Sequence, residues 1–409
     1  MDNENLLSIT KKHLNTLCKD IADRSVGSEG NRRATEYFKK ELLKTNWNPQ
    51  ETLLNVMDWK TNGARLQCGQ TSYEVFSGPY SLGCSVQGEM VAVSTISELE
   101  NEKIADKILL LYGEIAKEQI MPKNFVFYNP EEHQHLVSLL EKSNVKAIIC
   151  ATGRNATLAG GVYPFPMFED GDFDIPSVFM KDTEGEKLIN NRGMTVFLES
   201  KAERIPEIAY NIVGRKAGSE KKRIVVTAHI DAKKGTPGAI DNATGVCVLL
   251  LLAELLKDYI GKFAIELVAF NGEDYYAVPG QMKYIEQNAN DFSDILLNIN
   301  IDGAGYKQGI SSFSLFELPD DIKSIVQGII SINPALKEGL PWYQGDHSIF
   351  LQYGCPAIAV SSDWFIENVD NQDITHTPKD NLEIVNYQRV YEIALAIRDI
   401  INHLTQNRQ

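Results

Sequence analysis

From about Ile205 onward the chain alternates apolar strand-like runs with helical ones, and this alternation constrains the fold more than any other feature. RIVVTAHI at 223–230 is followed by ATGVCVLLLLAELLKDY at 243–259, KFAIELVAFN at 262–271, PGQMKYIEQNA at 279–289 and DILLNINID at 294–302. Strand runs this continuously apolar suit a sheet covered by helices on both faces. The expected architecture is an α/β three-layer sandwich around a mostly parallel, mixed central sheet. In such sheets chemistry gathers beyond the carboxyl ends of the strands.

The earlier residues have a different texture. Residues 5–45 read as helical, broken at the turn RSVGSEGN from Arg24 to Asn31. From about Val56 short β-type runs take over: GEMVAVS at 88–94, KILLLY at 107–112, VKAIIC at 145–150, IPSVFM at 175–180 and MTVFLES at 194–200. One helix, PEEHQHLVSLLEKS, interrupts them. At 409 residues the chain is too long for one ordinary core, so a separate β-rich module is expected here.

A net charge of −15 argues against nucleic acid or an anionic membrane as partner, because a polyanion needs a basic patch. The start, MDNENLLSITKKHL, is acidic where a secretory signal is basic, and the apolar run Val246 to Leu256 is too short to span a bilayer. The six cysteines form no CxxC pair, and several sit in apolar runs as buried thiols do. A cytoplasmic protein without membrane attachment is the expectation; self-association stays open.

Metal-ligating side chains recur at the strand ends. His229 and Asp231 close the first strand, Asp241 lies in PGAIDNATG before a helix, Glu273 and Asp274 follow the next strand, Asp302 ends DILLNINID, and His376 stands in ITHTPKDN. Singly, each has an ordinary reading: Asp241 as a helix cap, Asp302 and Glu273-Asp274 as turn residues, His376 as a surface histidine. Together, imidazoles and carboxylates from five elements on one rim suit Zn²⁺, which takes nitrogen and oxygen ligands at about 2.0 to 2.2 Å.

The ordered set AHID, GAIDN, NGED, NID and HTPKDN resembles the co-catalytic di-zinc aminopeptidases, a family that also contains glutamate carboxypeptidase, glutaminyl cyclase and the transferrin receptor. RSVGSEGNRRATEYF resembles the family's amino-terminal segment, and residues 57–203 resemble its protease-associated (PA) insertion. The resemblance implies a discontinuous peptidase domain, 1–56 with 204–409, and two Zn²⁺ ions, with Co²⁺ or Mn²⁺ as substitutes. It implies that Asp241 bridges both ions, that His229 and Asp302 complete one site and Asp274 and His376 the other, that Glu273 is the general base, and that Asp231 orients the His229 ring. Most members carry Glu where this chain has Asp274, one methylene longer. Peptides with a free amino terminus are the implied substrates.

Further residues are read more modestly. Tyr343 is a candidate hydrogen-bond donor to the tetrahedral intermediate or a pocket wall. Asp346 and His347 are expected to support rather than ligate. His133 and His135 are read as surface residues without carboxylate partners at metal spacing, and His13 and His403 as lying on amphipathic terminal helices. A glutamate-releasing carboxypeptidase would need arginine in its pocket, and residues 340–380 contain none. A carboxypeptidase or dipeptidase of the same family is kept as an alternative. A receptor-like binding protein that had lost catalysis would lack ligands, and glutaminyl cyclisation needs one zinc; the full ligand set argues against both.

Overall fold

The computed structural model describes residues 2–21, 23–154, 162–369 and 371–406. By its contacts the chain forms two compact units, Met1–Val56 with Ile208–Gln409, and Met57–Glu207.

The first unit is built on a mixed sheet. Its order is Leu336–Glu338, Ser311–Phe316, Ala357–Ser362, Ile295–Ile301, Arg223–His229, Ala264–Phe270 and then residues 212–216. The four strands from Ala357–Ser362 to Ala264–Phe270 are mutually parallel, while Ser311–Phe316 and residues 212–216 pair antiparallel at the flanks. Side chains alternate between the faces. Ile224, Val226 and Ala228 join Ile265, Leu267, Leu297, Ile299 and Ile301 in one large apolar core. The helix Thr244–Leu255 packs into that core and is buried from Thr244 to Ala253, as the apolar run Val246 to Ala253 requires. The helices Asn3–Asn15, Glu29–Lys44 and Tyr387–Gln406 pack on it. Trp47 ties the amino-terminal segment to it by donating from Nε1 to the Ala253 carbonyl at 2.9 Å.

Strands read as uniformly apolar carry buried polar residues on their other face. Thr227 Oγ1 donates to Asn300 Oδ1 at 2.8 Å, and Asn298 Nδ2 donates to the Val225 carbonyl at 3.2 Å. Glu266, 4% exposed, meets Arg215 at 2.9 Å and Arg223 at 3.4 Å. Each of these side chains has at least one partner, although Asn298 Oδ1 and Asn300 Nδ2 are left without one.

The second unit is more helical than its sequence texture indicates. Cys84–Val93, Ile108–Leu111, Ala147–Thr152 and Ser177–Lys181 form a parallel sheet in that order. Residues 195–200 pair antiparallel with the first of these strands, and Phe76–Ser77 with the last. Glu131–Glu141 sends Leu136 and Leu140 into a core with Leu109, Leu111 and Ile148, and Asp182–Ile189 sends Leu188 to the opposite face with Ile108 and Leu110. The expected boundary at 203/204 lies a few residues from the observed one, inside a continuous strand, Thr195–Lys216. That strand and Asn48–Cys68 are longer than the short runs legible in the sequence, since both stay extended through residues that usually punctuate a strand, Asn62-Gly63 in one and Pro206 in the other.

One histidine reading needs correction. His133 is 8% exposed, accepts at Nδ1 from the Met121 amide at 3.1 Å, and has Glu118 at 3.7 Å from Nε2. It is a packed residue of the Glu131–Glu141 helix rather than a surface one. His135 is exposed, as read from the sequence, and pairs with Glu100 at 2.9 Å. His13 is also buried, with Nδ1 2.6 Å from the Tyr37 hydroxyl, and burial pushes its pKa down to about 4.

Candidate metal centre

His229 is the last residue of its strand and 1% exposed. Parallel pairing sets it beside Phe270, the last residue of the neighbouring strand, so the loops leaving both strands start at one edge. Glu273 and Asp274 stand three and four residues beyond Phe270. Asp302 follows Ile295–Ile301, its amide bonded to the Val360 carbonyl at 2.9 Å. Asp241 precedes the buried helix, and its peptide bond to Asn242 is cis. His376 adopts left-handed backbone, φ 59°, a conformation kept only where the surroundings enforce it.

The Asp241 carboxylate stands in the middle. Its Oδ1 lies 3.2 Å from His229 Nε2 and its Oδ2 3.1 Å from His376 Nε2. Asp302 Oδ1 approaches the same His229 nitrogen at 3.6 Å, and Asp274 Oδ1 the same His376 nitrogen at 2.8 Å. Two half-clusters result, each with one imidazole and one carboxylate of its own, sharing the Asp241 carboxylate. One ligand atom from each of His229, Asp241 and Asp274 lies within 4.8 Å of the others.

The electrostatics describe a cluster short of positive charge. Burial opposes protonation of His229, yet Asp231, Asp241 and Asp302 outweigh it and raise its pKa well above the usual value. Burial likewise opposes His376, and Asp274 with Asp241 overcomes it. Burial raises Glu273, with His229 opposing and Asp274, Asp302 and Asp346 adding to the rise. Asp302 is raised by burial as well. Asp241 is the exception: against its burial, the close approach of the His229 and His376 imidazoles holds it below the carboxylate range. Protons on the imidazoles thus supply the charge that a cation would supply. Both ring nitrogens of His229 and Asp274 Oδ2 are buried without a hydrogen-bond partner. Orphaned imidazole and carboxylate atoms facing each other are a donor set that fits Zn²⁺.

Asp231, fully buried, contributes differently from expectation. Its Oδ1 is 3.6 Å from His229 Nδ1, an ion-pair distance too long for a hydrogen bond. Its hydrogen bonds come from the backbone amides of Gly272 at 2.8 Å, Glu273 at 3.3 Å and Asp274 at 3.0 Å. One carboxylate therefore shapes the whole loop that presents Glu273 and Asp274. Asp346 is 3% exposed and accepts at Oδ1 from Gln281 at 2.7 Å, and burial pushes its pKa up to about 7. His347 bonds through Nε2 to the Trp342 carbonyl at 2.8 Å and is held down at about 4 by burial. Tyr343 is 66% exposed, its ring edge-on to Phe316 at 5.4 Å.

Two supports escaped the sequence reading. Asn31 and Asn271 exchange side-chain hydrogen bonds at 2.9 and 2.8 Å, fastening the start of the Glu273 loop to the amino-terminal segment. Asp380, fully buried, accepts from the amides of Ile240 at 2.7 Å and Asp241 at 3.1 Å. Both residues lie inside the motifs RSVGSEGN and HTPKDN, but only the folded chain shows what they hold.

Residues 211–401 match the family described as Peptidase family M28. Aminopeptidase YwaD of Bacillus subtilis is 24% identical over 276 residues, 62% of this chain and 55% of its own length. The chain thus spans little more than half of that relative. The aminopeptidase from Aneurinibacillus sp. strain AM-1 superposes with a TM-score of 0.76 at 19% identity, covering 99% of this chain and 94% of the other. BSAP, a zinc aminopeptidase from Bacillus subtilis, gives 0.71 at 17% identity, covering 98% and 96%. These likenesses bear out the α/β sheet architecture, and the stretch that matches peptidase family M28, residues 211–401, carries every side chain of the cluster.

Proposed function

We propose that the chain is a metal-dependent aminopeptidase that hydrolyses the first peptide bond of substrates with a free amino terminus. The observation carrying this reading is the division of the Asp241 carboxylate, one oxygen toward His229 and the other toward His376. In this reading His229, Asp241 and Asp302 hold one Zn²⁺, and Asp241, Asp274 and His376 the second. When bound, such a pair lowers the pKa of a shared water and polarises the scissile carbonyl.

The chain's own residues do the rest. Glu273 takes the proton of the attacking water and passes it to the leaving amine. Burial and carboxylate neighbours raise its proton affinity, which suits a group that must hold a proton between two transfers. Asp231 keeps Glu273 and Asp274 in one loop, so base and ligand are placed by the same anchor. Tyr343 is the candidate donor to the carbonyl oxygen, swinging in from its exposed position. The excess of carboxylates suits a substrate's α-ammonium, and names of similar proteins point the same way. The unit Met57–Glu207 is read as a PA-type insertion, since it lies outside the matched stretch. Among the described residues no helix is long and apolar enough to cross a membrane, and all six cysteines are unpaired, which supports a reducing cytoplasm.

The test is metal content with turnover of an aminoacyl-nitroanilide panel, free and amino-blocked, before and after chelation. Two zinc ions per chain and chelator-sensitive release from free amino termini alone are expected. Release from blocked substrates, or full activity without metal, would refute the reading.

The metal-free site also carries a pH signature. His229 and His376 have raised pKa values, so the stability they contribute is complete below their unfolded value and is lost as pH rises through the folded one. Asp346 and Asp380, both raised to about 7, act with the same sign: their neutral forms favour folding, and that contribution is lost as pH climbs from about 4 to about 7. Zinc displaces the imidazole protons and removes the penalty. Melting curves from pH 5.5 to 8.5 should therefore show the chelated protein losing stability with pH and the gap to the zinc-loaded protein widening. A constant gap would contradict this.

A further inference from the structure

We propose that Arg24 and Asp380 form a clamp on the loop of residues 236–241, and that they are positioning residues setting how the Asp241 carboxylate is shared between two metal ions. The inference rests on the functional reading above and goes beyond it.

Arg24 is 1% exposed, and its bonds are to main-chain carbonyls: Leu17 at 2.8 Å, Ile230 at 3.1 Å, Pro237 at 2.8 Å and Gly238 at 2.7 Å. Ile230 lies between His229 and Asp231, and Pro237 and Gly238 begin the turn that ends at Asp241. Asp380 takes the opposite polarity of the same loop. Its carboxylate accepts the amides of Ile240 and Asp241, and its own carbonyl accepts the amide of Ala239 at 3.2 Å. Thr236 completes the grip: its hydroxyl donates to the Thr377 carbonyl at 2.9 Å and accepts from the Gly238 amide at 3.0 Å.

The carbonyls at the start of the loop are thus held by a buried cation and the amides at its end by a buried carboxylate. Asp380 is four residues from His376, so the loops bearing Asp241 and His376 are fixed to each other. Arg24 fixes that pair to the backbone beside His229. A buried charge in a purely supporting role is commonly replaceable by a packed apolar side chain. Here two charged groups converge on one turn, and the turn's product is a carboxylate poised 3.2 Å from one imidazole and 3.1 Å from another. Gly238 fits the same purpose: at φ 56°, an added Cβ would meet Arg24 Nη2 at 2.8 Å and the Asp241 carbonyl at 2.5 Å.

The experiment uses the full chain and its Asp380→Asn variant, with Thr236→Val as a milder second variant should the first fail to fold. Zinc is titrated against a chromophoric chelator, Co²⁺ spectra are recorded, and kcat and KM are measured at limiting and saturating zinc. Expected for Asp380→Asn are an unchanged fold by circular dichroism, zinc binding about 10- to 100-fold weaker, an altered Co²⁺ spectrum, and a loss in kcat with KM little changed. Thr236→Val should shift in the same direction by less. Two-ion binding at wild-type affinity with an unchanged Co²⁺ spectrum in a folded variant would overturn the clamp. A wild-type chain that fails to bind two ions would overturn the functional reading instead, so the two failures are distinguishable.

Discussion

Glu273→Gln should keep both zinc ions and lose about 10²- to 10⁴-fold in kcat, the range a positioned general base contributes. The amide is nearly isosteric with the carboxylate but takes up no proton. Its backbone amide remains free to bond Asp231, so the loop should stay in place. A drop in kcat with zinc content unchanged would separate base from ligand. A variant within about threefold of the wild-type rate would refute the assignment, and loss of one zinc equivalent would show Glu273 to be a ligand. Because the cluster raises the carboxyl's proton affinity, a rate profile measured on the wild type should also show an acidic limb that the variant lacks.

The second large effect is expected at Asp241. Its two oxygens serve both half-clusters, so Asp241→Asn should weaken both metal sites at once, whereas Asp302→Asn or Asp274→Asn should weaken one. An asparagine presents one acceptor oxygen and a donor that would face an imidazole nitrogen. Metal analysis after dialysis should find Asp241→Asn close to metal-free and its kcat/KM down by more than 10³-fold, on the order of 4 kcal/mol of transition-state stabilisation. Retention of one tightly bound ion would show that Asp241 belongs to one half alone.

The positions proposed to hold metal were legible because they obey two local rules together: side chains of metal-binding type, placed where parallel strands end. His229, Asp241, Asp274, Asp302 and His376 all lie in the cluster that the sequence pattern anticipated. What surrounds them was not legible. Asp231 could be expected near His229, but that it collects three successive amides depends on the turn taken by Gly272 at φ 111°. Asp380 and Arg24 act on main-chain groups, which leave no trace in side-chain spacing. The same limit hid the long strands: Thr195–Lys216 stays extended through Pro206, and extension by itself changes no hydrophobic period. Glu266, Asn298 and Asn300 sit within apolar runs, and their burial depends on partners from other strands.

The Asn31–Asn271 and Arg24–Gly238 bonds join residues 240 and 214 positions apart, and the final member of the cluster, His376, lies near the end of the chain. Contacts of that separation form late, since the intervening chain must first be ordered. The consequence is one of timing. While the polypeptide is being synthesised, the amino-terminal anchor cannot close until Asn271 has emerged, and the cluster cannot be completed until His376 has. If the proposed activity holds, a nascent chain stays silent until His376 has joined the other members of the cluster.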